Sequence, residues 1–171
     1  MLTEEQIYAH YRGKSLLLDS NLLLVLLVGS LGRSVFTNFK RVNHFSYSDY
    51  EFLVDFTAEF TRLLTTPHIL TEVNGLANQL PNWIKPEWSA RFAEFLLLGS
   101  NSALVERSIA AHELALMPEF SQYGLTDSAV SKLAEDTLVV TEDYRLSGAL
   151  RSRQLPVLNF RDLLVVRNYV S

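Results

Sequence analysis

The chain has 171 residues, of which 48% are hydrophobic and 20% charged, with a formal net charge of -4 at pH 7. This composition excludes a disordered chain and argues against a broadly basic surface for polyanions. The absence of cysteine excludes disulfide frameworks, cysteine-ligated zinc and thiol catalysis.

The N-terminal third predicts a helix, a strand and a second helix. A short helix is expected over residues 3–11, capped by Thr3. Residues 14–18, a run with three leucines that ends at Asp19, predict the first, central strand, and residues 20–30 predict the helix that follows. The apolar run at 22–28 is too short to span a bilayer, and the polar N-terminus does not resemble a secretory signal. We therefore expect a soluble, cytoplasmic protein.

The next segment combines a predicted loop with a long helix. Residues 31–46 lack clear periodicity and predict a loop. Ser46 or Ser48 is expected to cap a helix that runs to about residue 64. Aromatic side chains recur along one face of this helix and predict either core packing or a dimer surface: Phe52, Phe56 and Phe60.

The central part of the chain predicts further alternation. Residues 68–70 predict the second strand, and Thr71 is expected to cap a helix that carries Glu72 in its first turn. Pro86 is expected to begin the next helix. Residues 103–105 predict the third strand, which a helix over 108–117 follows.

The last third completes the predicted sheet. Thr126 is expected to cap a helix, and residues 137–140, which are rich in β-branched side chains, predict the fourth strand. A short helix follows near 145–151, and residues 156–159 predict the last strand. Strands alternating with helices indicate a mostly parallel sheet covered on both faces. We predict one domain over residues 1–171, built as a three-layer α/β/α sandwich.

Four acidic residues stand where predicted strands end or helices begin: Asp19, Glu72, Asp127 and Asp143. Each one alone is explained by helix capping, the helix dipole or turn chemistry. As a set, however, they fall at the equivalent end of successive α/β units and are expected to share one edge of the sheet. Carboxylates gathered there would repel one another unless a cation lay between them, and oxygen ligands favour Mg²⁺ or Mn²⁺.

The segments around these acids resemble the ordered motifs of PIN-domain ribonucleases, a family that includes toxins of bacterial toxin–antitoxin pairs. The matching segments are DSN at 19–21, LTEV at 70–73, GLTDSAV at 124–130 and VVTEDYRL at 139–146. The resemblance implies that all four acids bind Mg²⁺ or Mn²⁺, and that Asn21 and Thr141 support those acids and the substrate. It also implies a PIN-like fold.

The function implied by this resemblance is metal-dependent hydrolysis of single-stranded RNA. An antitoxin and a second copy of the chain are the implied protein partners. Arginines are concentrated near the C-terminus and are candidate phosphate contacts: Arg145, Arg151, Arg153, Arg161 and Arg167.

Three alternatives stay open at this point. The chain could be a PIN-like scaffold without catalysis, a housekeeping RNA-processing nuclease, or a phosphatase with Asp19 as nucleophile. The phosphatase is disfavoured because Asn21 stands where a second acid is expected. The four histidines lack metal-binding spacing and are interpreted as structural or surface residues.

Overall fold

The computed structural model describes residues 3–118 and 120–170, except for the side chains of residues 168–170. Five strands are present in this part of the chain: β1 (Ser15–Leu18), β2 (Arg62–Thr65), β3 (Leu104–Glu106), β4 (Leu138–Thr141) and β5 (Val157–Asn159). The helices are α1 (Glu4–Tyr11), α2 (Ser20–Gly29), α3 (Arg33–Asn38), α4 (Tyr47–Ala58), α5 (Pro67–Ala77), α6 (Lys85–Leu97), α7 (Ala111–Ala115), α8 (Phe120–Leu133), α9 (Tyr144–Ser152) and α10 (Phe160–Val170), with a 3-10 turn at Leu98–Asn101.

The five strands form one parallel sheet in the order β3-β2-β1-β4-β5. Helices flank the sheet, and the predicted three-layer α/β/α class is confirmed. The central strand β1 is completely enclosed, since Leu16 and Leu17 are 0% exposed. All five strands point the same way, so the residues that follow them meet along one edge, here called the carboxyl edge.

The predicted position of the second strand, residues 68–70, is wrong. These residues lie in α5, and the strand β2 comes earlier, at Arg62–Thr65. Because of two local features, α5 begins before the helix that was predicted to be capped by Thr71. Thr66 caps it by accepting a hydrogen bond from the Ile69 amide at 3.2 Å, and Pro67 occupies the first turn. The helix predicted to run to residue 64 accordingly ends at Ala58.

Four further features differ from the prediction. The segment 31–46 contains the short helix α3, and the helix predicted over 108–117 shrinks to α7. The helix α10, which no pattern predicted, follows β5. In α8 the backbone of Gly124, with φ 77 and ψ -169, breaks the helical path just before Thr126. The break changes the direction of the chain just before Asp127.

The aromatic face of α4 packs into the protein's own core. Phe56 and Phe60 are buried, and their ring centroids lie 5.3 Å apart. The Phe52 ring stacks on Phe160 of α10 at 5.9 Å. Of the two predicted roles for this stripe, core packing is confirmed. Across the residues described, no helix combines the length and apolar character that crossing a bilayer requires.

Candidate functional site

The sheet places the candidate site at its topological switch point. From β1 the chain crosses to β2 on one side, and after β3 it returns to β4 on the other side. In open α/β sheets the crevice outside the carboxyl ends of such diverging strands is where ligands bind. Asp19 directly follows β1, and Asp143 follows β4, so both acids border this crevice.

Asp19 is the buried centre of the site. Its side chain is 6% exposed and caps α2 by accepting a hydrogen bond from the Leu22 amide at 2.7 Å. Its second oxygen accepts hydrogen bonds from the Thr141 hydroxyl and from the Glu142 amide. Burial raises the pKa of Asp19 from 3.8 to about 7, against the opposing effect of these hydrogen bonds. This carboxylate is therefore costly to ionise unless a cation is near.

Thr141 joins the first acid to the last one. Its hydroxyl donates to Asp19 and accepts a hydrogen bond from the Asp143 amide at 2.9 Å. Asp143 in turn caps α9, because its Oδ1 accepts hydrogen bonds from the amides of Arg145 at 2.6 Å and Leu146 at 3.3 Å. The supporting role expected for Thr141 has a direct geometric basis here, although a substrate contact does not follow from it.

Glu72 on α5 and Asp127 on α8 approach the same edge of the sheet. The Ser20 hydroxyl donates to Glu72 Oε2 at 3.0 Å, which links α5 to the residue beside Asp19. Burial, followed by the charges of Glu72 and Asp143, raises the pKa of Asp127 to about 6, and Arg145 acts in the opposite direction. The negative charges of Glu72 and Asp143 therefore both disfavour the ionised form of Asp127.

The four acids are linked at this edge by hydrogen bonds through Ser20 and Thr141 and by the charges acting on Asp127. Within the ranges that the structure describes, no group of three or more His, Asp or Glu side chains is arranged to hold a metal ion. Asn21 lies in the first turn of α2 with an exposed side chain.

The donor chemistry nevertheless fits a hard divalent cation. The acids and the hydroxyls of Ser20 and Thr141 offer oxygen atoms, the ligands that Mg²⁺ and Mn²⁺ prefer. Two buried hydroxyl oxygens, on Thr65 at the end of β2 and on Ser128 beside Asp127, have no hydrogen-bond partner within the described residues. Buried polar atoms of this kind are normally satisfied by protein, water or an ion.

Sequence reasoning missed Glu142, which stands between Thr141 and Asp143. Its carboxylate is 11% exposed, and its Oε2 accepts hydrogen bonds from Arg161 at 2.6 Å and from His44 at 3.1 Å. The negative charge of Glu142 also contributes to the raised pKa of Asp19. The acidic pair at 142–143 was the available signal, but nothing in the sequence placed Arg161 and His44 beside it.

A cavity of about 430 Å³ opens beside two of the acids. It is lined by Pro67, His68, Thr71, Glu72, Tyr123, Leu125, Thr126 and Asp127. His68 and Tyr123 were not predicted to lie at the site, because one was assigned to a strand and the other carried no motif. A larger cavity of about 670 Å³ lies away from the acids, between α1 and the chain joining α9 to β5.

Four of the five C-terminal arginines fall into two groups by position. Arg151 pairs with Glu4 at 2.5 Å, and Arg167 pairs with Asp49 at 2.8 Å, so these two tie helices together. Arg145 and Arg161 form the second group, in the first turns of α9 and α10 at the carboxyl edge, and Arg161 also pairs with Glu142 at 2.6 Å. The positive charge near the site comes from this second group.

The free energy of unfolding in the presence of a chelator is expected to fall as pH rises from 5 to 8. The pKa of Asp19 is raised in the folded chain to about 7, so the folded state binds the proton more tightly than the unfolded state. The stabilisation is complete below the unfolded pKa and is lost as pH rises through the folded value, by about 2–4 kcal/mol. Urea unfolding at each pH measures this slope.

The matched variant is Asp19→Asn, which removes the titrating carboxyl but retains one side-chain oxygen for the cap. Its unfolding free energy is expected to depend much less on pH over the same interval. Equal slopes for wild type and Asp19→Asn would show that Asp19 is ordinarily ionised in the folded chain.

The site is thus four acidic side chains and a threonine at the β1–β4 switch point, with two arginines and a small cavity beside them. The oxygen-rich chemistry is concentrated at one edge of the sheet, and the largest pKa shifts toward neutral pH fall on Asp19 and Asp127. Comparison with protein-family models, curated proteins and solved structures found no match for this chain.

Proposed function

We propose that this protein is a ribonuclease that uses Mg²⁺ or Mn²⁺ to hydrolyse phosphodiester bonds in single-stranded RNA. One observation supports the proposal: hydrogen bonds and charge link four acids from separate segments of the chain, and two of these acids have pKa values raised toward neutrality. Perturbed acids gathered in a crevice are a common property of catalytic sites. The resemblance to PIN-domain ribonucleases supplies the reaction class.

Asp19, Glu72, Asp127 and Asp143 are the residues that would hold the cation. When bound, a divalent cation at such a site neutralises phosphate charge and makes water more acidic. The contribution of the chain is to fix the oxygens in place. Thr141 does so for Asp19, and Ser20 does so for Glu72.

We assign proton transfer to Asp127, which would then reach the cation through a water molecule, because a carboxylate bound directly to a divalent cation takes up protons poorly. Without a cation its pKa is raised to about 6, which suits a group that exchanges protons near neutral pH. In hydrolysis, the oxygen of water forms a bond to phosphorus and the bond from phosphorus to one ribose oxygen breaks. The carboxylate of Asp127 takes the proton that the water loses, and the departing ribose oxygen takes a proton from solvent.

The surroundings of the acids suit RNA in its single-stranded form. Arg145 and Arg161 place positive charge beside the acidic edge and are our candidates for contacts with the RNA backbone. The cavity of about 430 Å³ is too small for a duplex but adequate for one unpaired nucleotide. Bases that are not held in a helix can turn into such a cavity.

The resemblance extends the proposal to biological context. It suggests a cytoplasmic toxin that is neutralised by an antitoxin and assembles as a homodimer. Large apolar side chains are available on the surface for such partners, with Leu97 68% exposed and Leu116 84%. Because the aromatic face of α4 is internal, a partner would have to use other surfaces of the chain.

The direct test is cleavage of a fluorescently labelled, unstructured RNA by the purified wild-type chain. Cleavage is expected with Mg²⁺ or Mn²⁺ and is expected to stop when a chelator is added. The same assay on a fully base-paired RNA is expected to be much slower. Wild-type protein that is folded and monodisperse but leaves the single-stranded RNA intact with either metal would refute the nuclease and favour the scaffold alternative.

A further inference from the structure

We propose that the cavity beside Glu72 and Asp127 binds one unpaired nucleobase, which stacks against Tyr123. This inference rests on the proposed function, because it names where the base next to the cleaved phosphate is held. Aromatic and apolar side chains line this cavity together with the two acids. Its volume, about 430 Å³, lies at the low end of the range of about 300–1,000 Å³ found for small-ligand pockets.

The backbone break at Gly124 brings the ring and the acid to the same cavity. Tyr123 and Asp127 are only four residues apart, and both line it. The left-handed φ of 77 at Gly124 is a conformation that glycine adopts with little strain. It turns the chain between Tyr123 and Leu125, so an aromatic wall stands beside the acid that we assign to proton transfer.

Tyr123 has the properties of a stacking surface. The ring is half-buried and lines both the cavity beside the acids and a second surface cavity of about 630 Å³. The guanidinium of Arg145 lies 5.6 Å from the ring centroid. A base that stacks on Tyr123 would therefore have a positive charge close by for its own phosphate.

The remaining walls favour a flat, neutral group over other ligands. Pro67, His68 and Leu125 add apolar and aromatic surface, and the hydroxyls of Thr71 and Thr126 can bond to the polar edge of a base. Glu72 and Asp127 repel anions, so an isolated phosphate or an acidic side chain is disfavoured. A nucleobase presents a neutral aromatic face and a hydrogen-bonding edge together.

The test measures binding rather than cleavage. Nucleoside 5′-monophosphates of the four bases contain no phosphodiester bond, so they report on the base site even if no RNA is cut. With Mn²⁺ present, wild type is expected to bind at least one of them saturably in calorimetric titrations. Tyr123→Phe is expected to retain this affinity, whereas Tyr123→Leu and Tyr123→Ala are expected to lose about 5- to 150-fold.

Trp83→Ala provides the matched control. Trp83 is an exposed aromatic residue in the chain between α5 and α6, which the direction of α5 places toward the opposite edge of the sheet. Its removal is expected to leave nucleotide affinity unchanged. Thermal unfolding of each variant establishes that the chain is folded, and the leucine variant preserves apolar bulk at position 123.

Two outcomes overturn the inference: wild type that binds no nucleotide at millimolar concentration, or Tyr123→Leu and Tyr123→Ala variants that bind as tightly as wild type. Failure of the proposed function gives a different result, in which nucleotides bind through Tyr123 but single-stranded RNA is not cleaved. Weaker nucleotide binding after loss of the ring, with affinity retained by phenylalanine, supports the base site.

Discussion

Asp143→Asn is expected to lower the rate of metal-dependent RNA cleavage by at least about 10²-fold while the fold survives. The substitution is suited to this question because Asp143 has two separable roles. Its Oδ1 caps α9 through the amides of Arg145 and Leu146, and asparagine caps helices about as well as aspartate. Only the negative charge is removed. Initial rates at saturating Mg²⁺, together with thermal unfolding, separate lost chemistry from lost structure.

The same reasoning applies to Glu72→Gln. This substitution removes the negative charge but keeps an oxygen that can accept the hydrogen bond from Ser20. Asp19→Asn is also expected to abolish cleavage, by removing the buried charge. The matched control is Asp136→Asn, which alters an exposed aspartate just before β4, at the opposite edge of the sheet. The control should cleave at the wild-type rate. Wild-type rates in Asp143→Asn or Asp19→Asn would refute the assignment of these residues.

Saturating Mn²⁺ at pH 8 is expected to raise the midpoint of thermal unfolding of the wild-type chain. A ligand at 100 times its dissociation constant stabilises the folded state by about 2.7 kcal/mol, which for a domain of this size corresponds to roughly 5–10 °C. The physical source is relief of repulsion, because Glu72 and Asp143 both disfavour the ionised form of Asp127. Differential scanning fluorimetry with and without chelator measures the change.

Asp127→Asn is expected to change this behaviour in two ways. Removing one of three interacting acids should raise the midpoint in chelator and should reduce the gain produced by Mn²⁺. Asp136→Asn should match wild type in both conditions. A Mn²⁺-induced gain that is equal in wild type and Asp127→Asn would mean that the ion binds elsewhere, and an absence of any gain in wild type would contradict a shared site.

The fold class could be predicted because it depends on the alternation of strands and helices. That alternation is the same even where the predicted boundaries are wrong. Buried strands such as β1 and β4 are short apolar runs that end in polar residues, and both were located within one or two residues. The error at β2 arose because residues 60–70 contain two short apolar pairs, at 63–64 and at 69–70, and either pair could form the strand. Only the cap at Thr66 and the proline at 67 decide where the helix begins.

The sequence predicts where the four acids stand relative to strands and helices. It does not predict how their side chains are arranged relative to one another. Asp19 and Asp143 follow strands that the sequence identifies, and parallel strands bring such residues to one edge. Whether Glu72 and Asp127 reach that edge depends on helix starts, one of which was misplaced. The Ser20 hydrogen bond to Glu72 spans 52 residues of sequence and has no local signature.

The residues around Glu142 illustrate the limit of sequence reasoning most clearly. Arg161 and His44 meet the same carboxylate from α10 and from the connection before α4. Neither partner is close to Glu142 in sequence, and α10 itself was not predicted. Long-range ion pairs of this kind depend on how complete elements pack, which periodicity does not specify.

The most direct measurement is a titration of Mn²⁺ into the purified chain, followed by electron paramagnetic resonance of the free ion, for wild type, Asp143→Asn, Asp127→Asn and Asp136→Asn. We expect one or two ions to bind wild type and Asp136→Asn with equal affinity, and at least about tenfold weaker binding to the other two variants. A wild-type chain that leaves Mn²⁺ free, or four proteins that bind it alike, would contradict a cation held by these carboxylates.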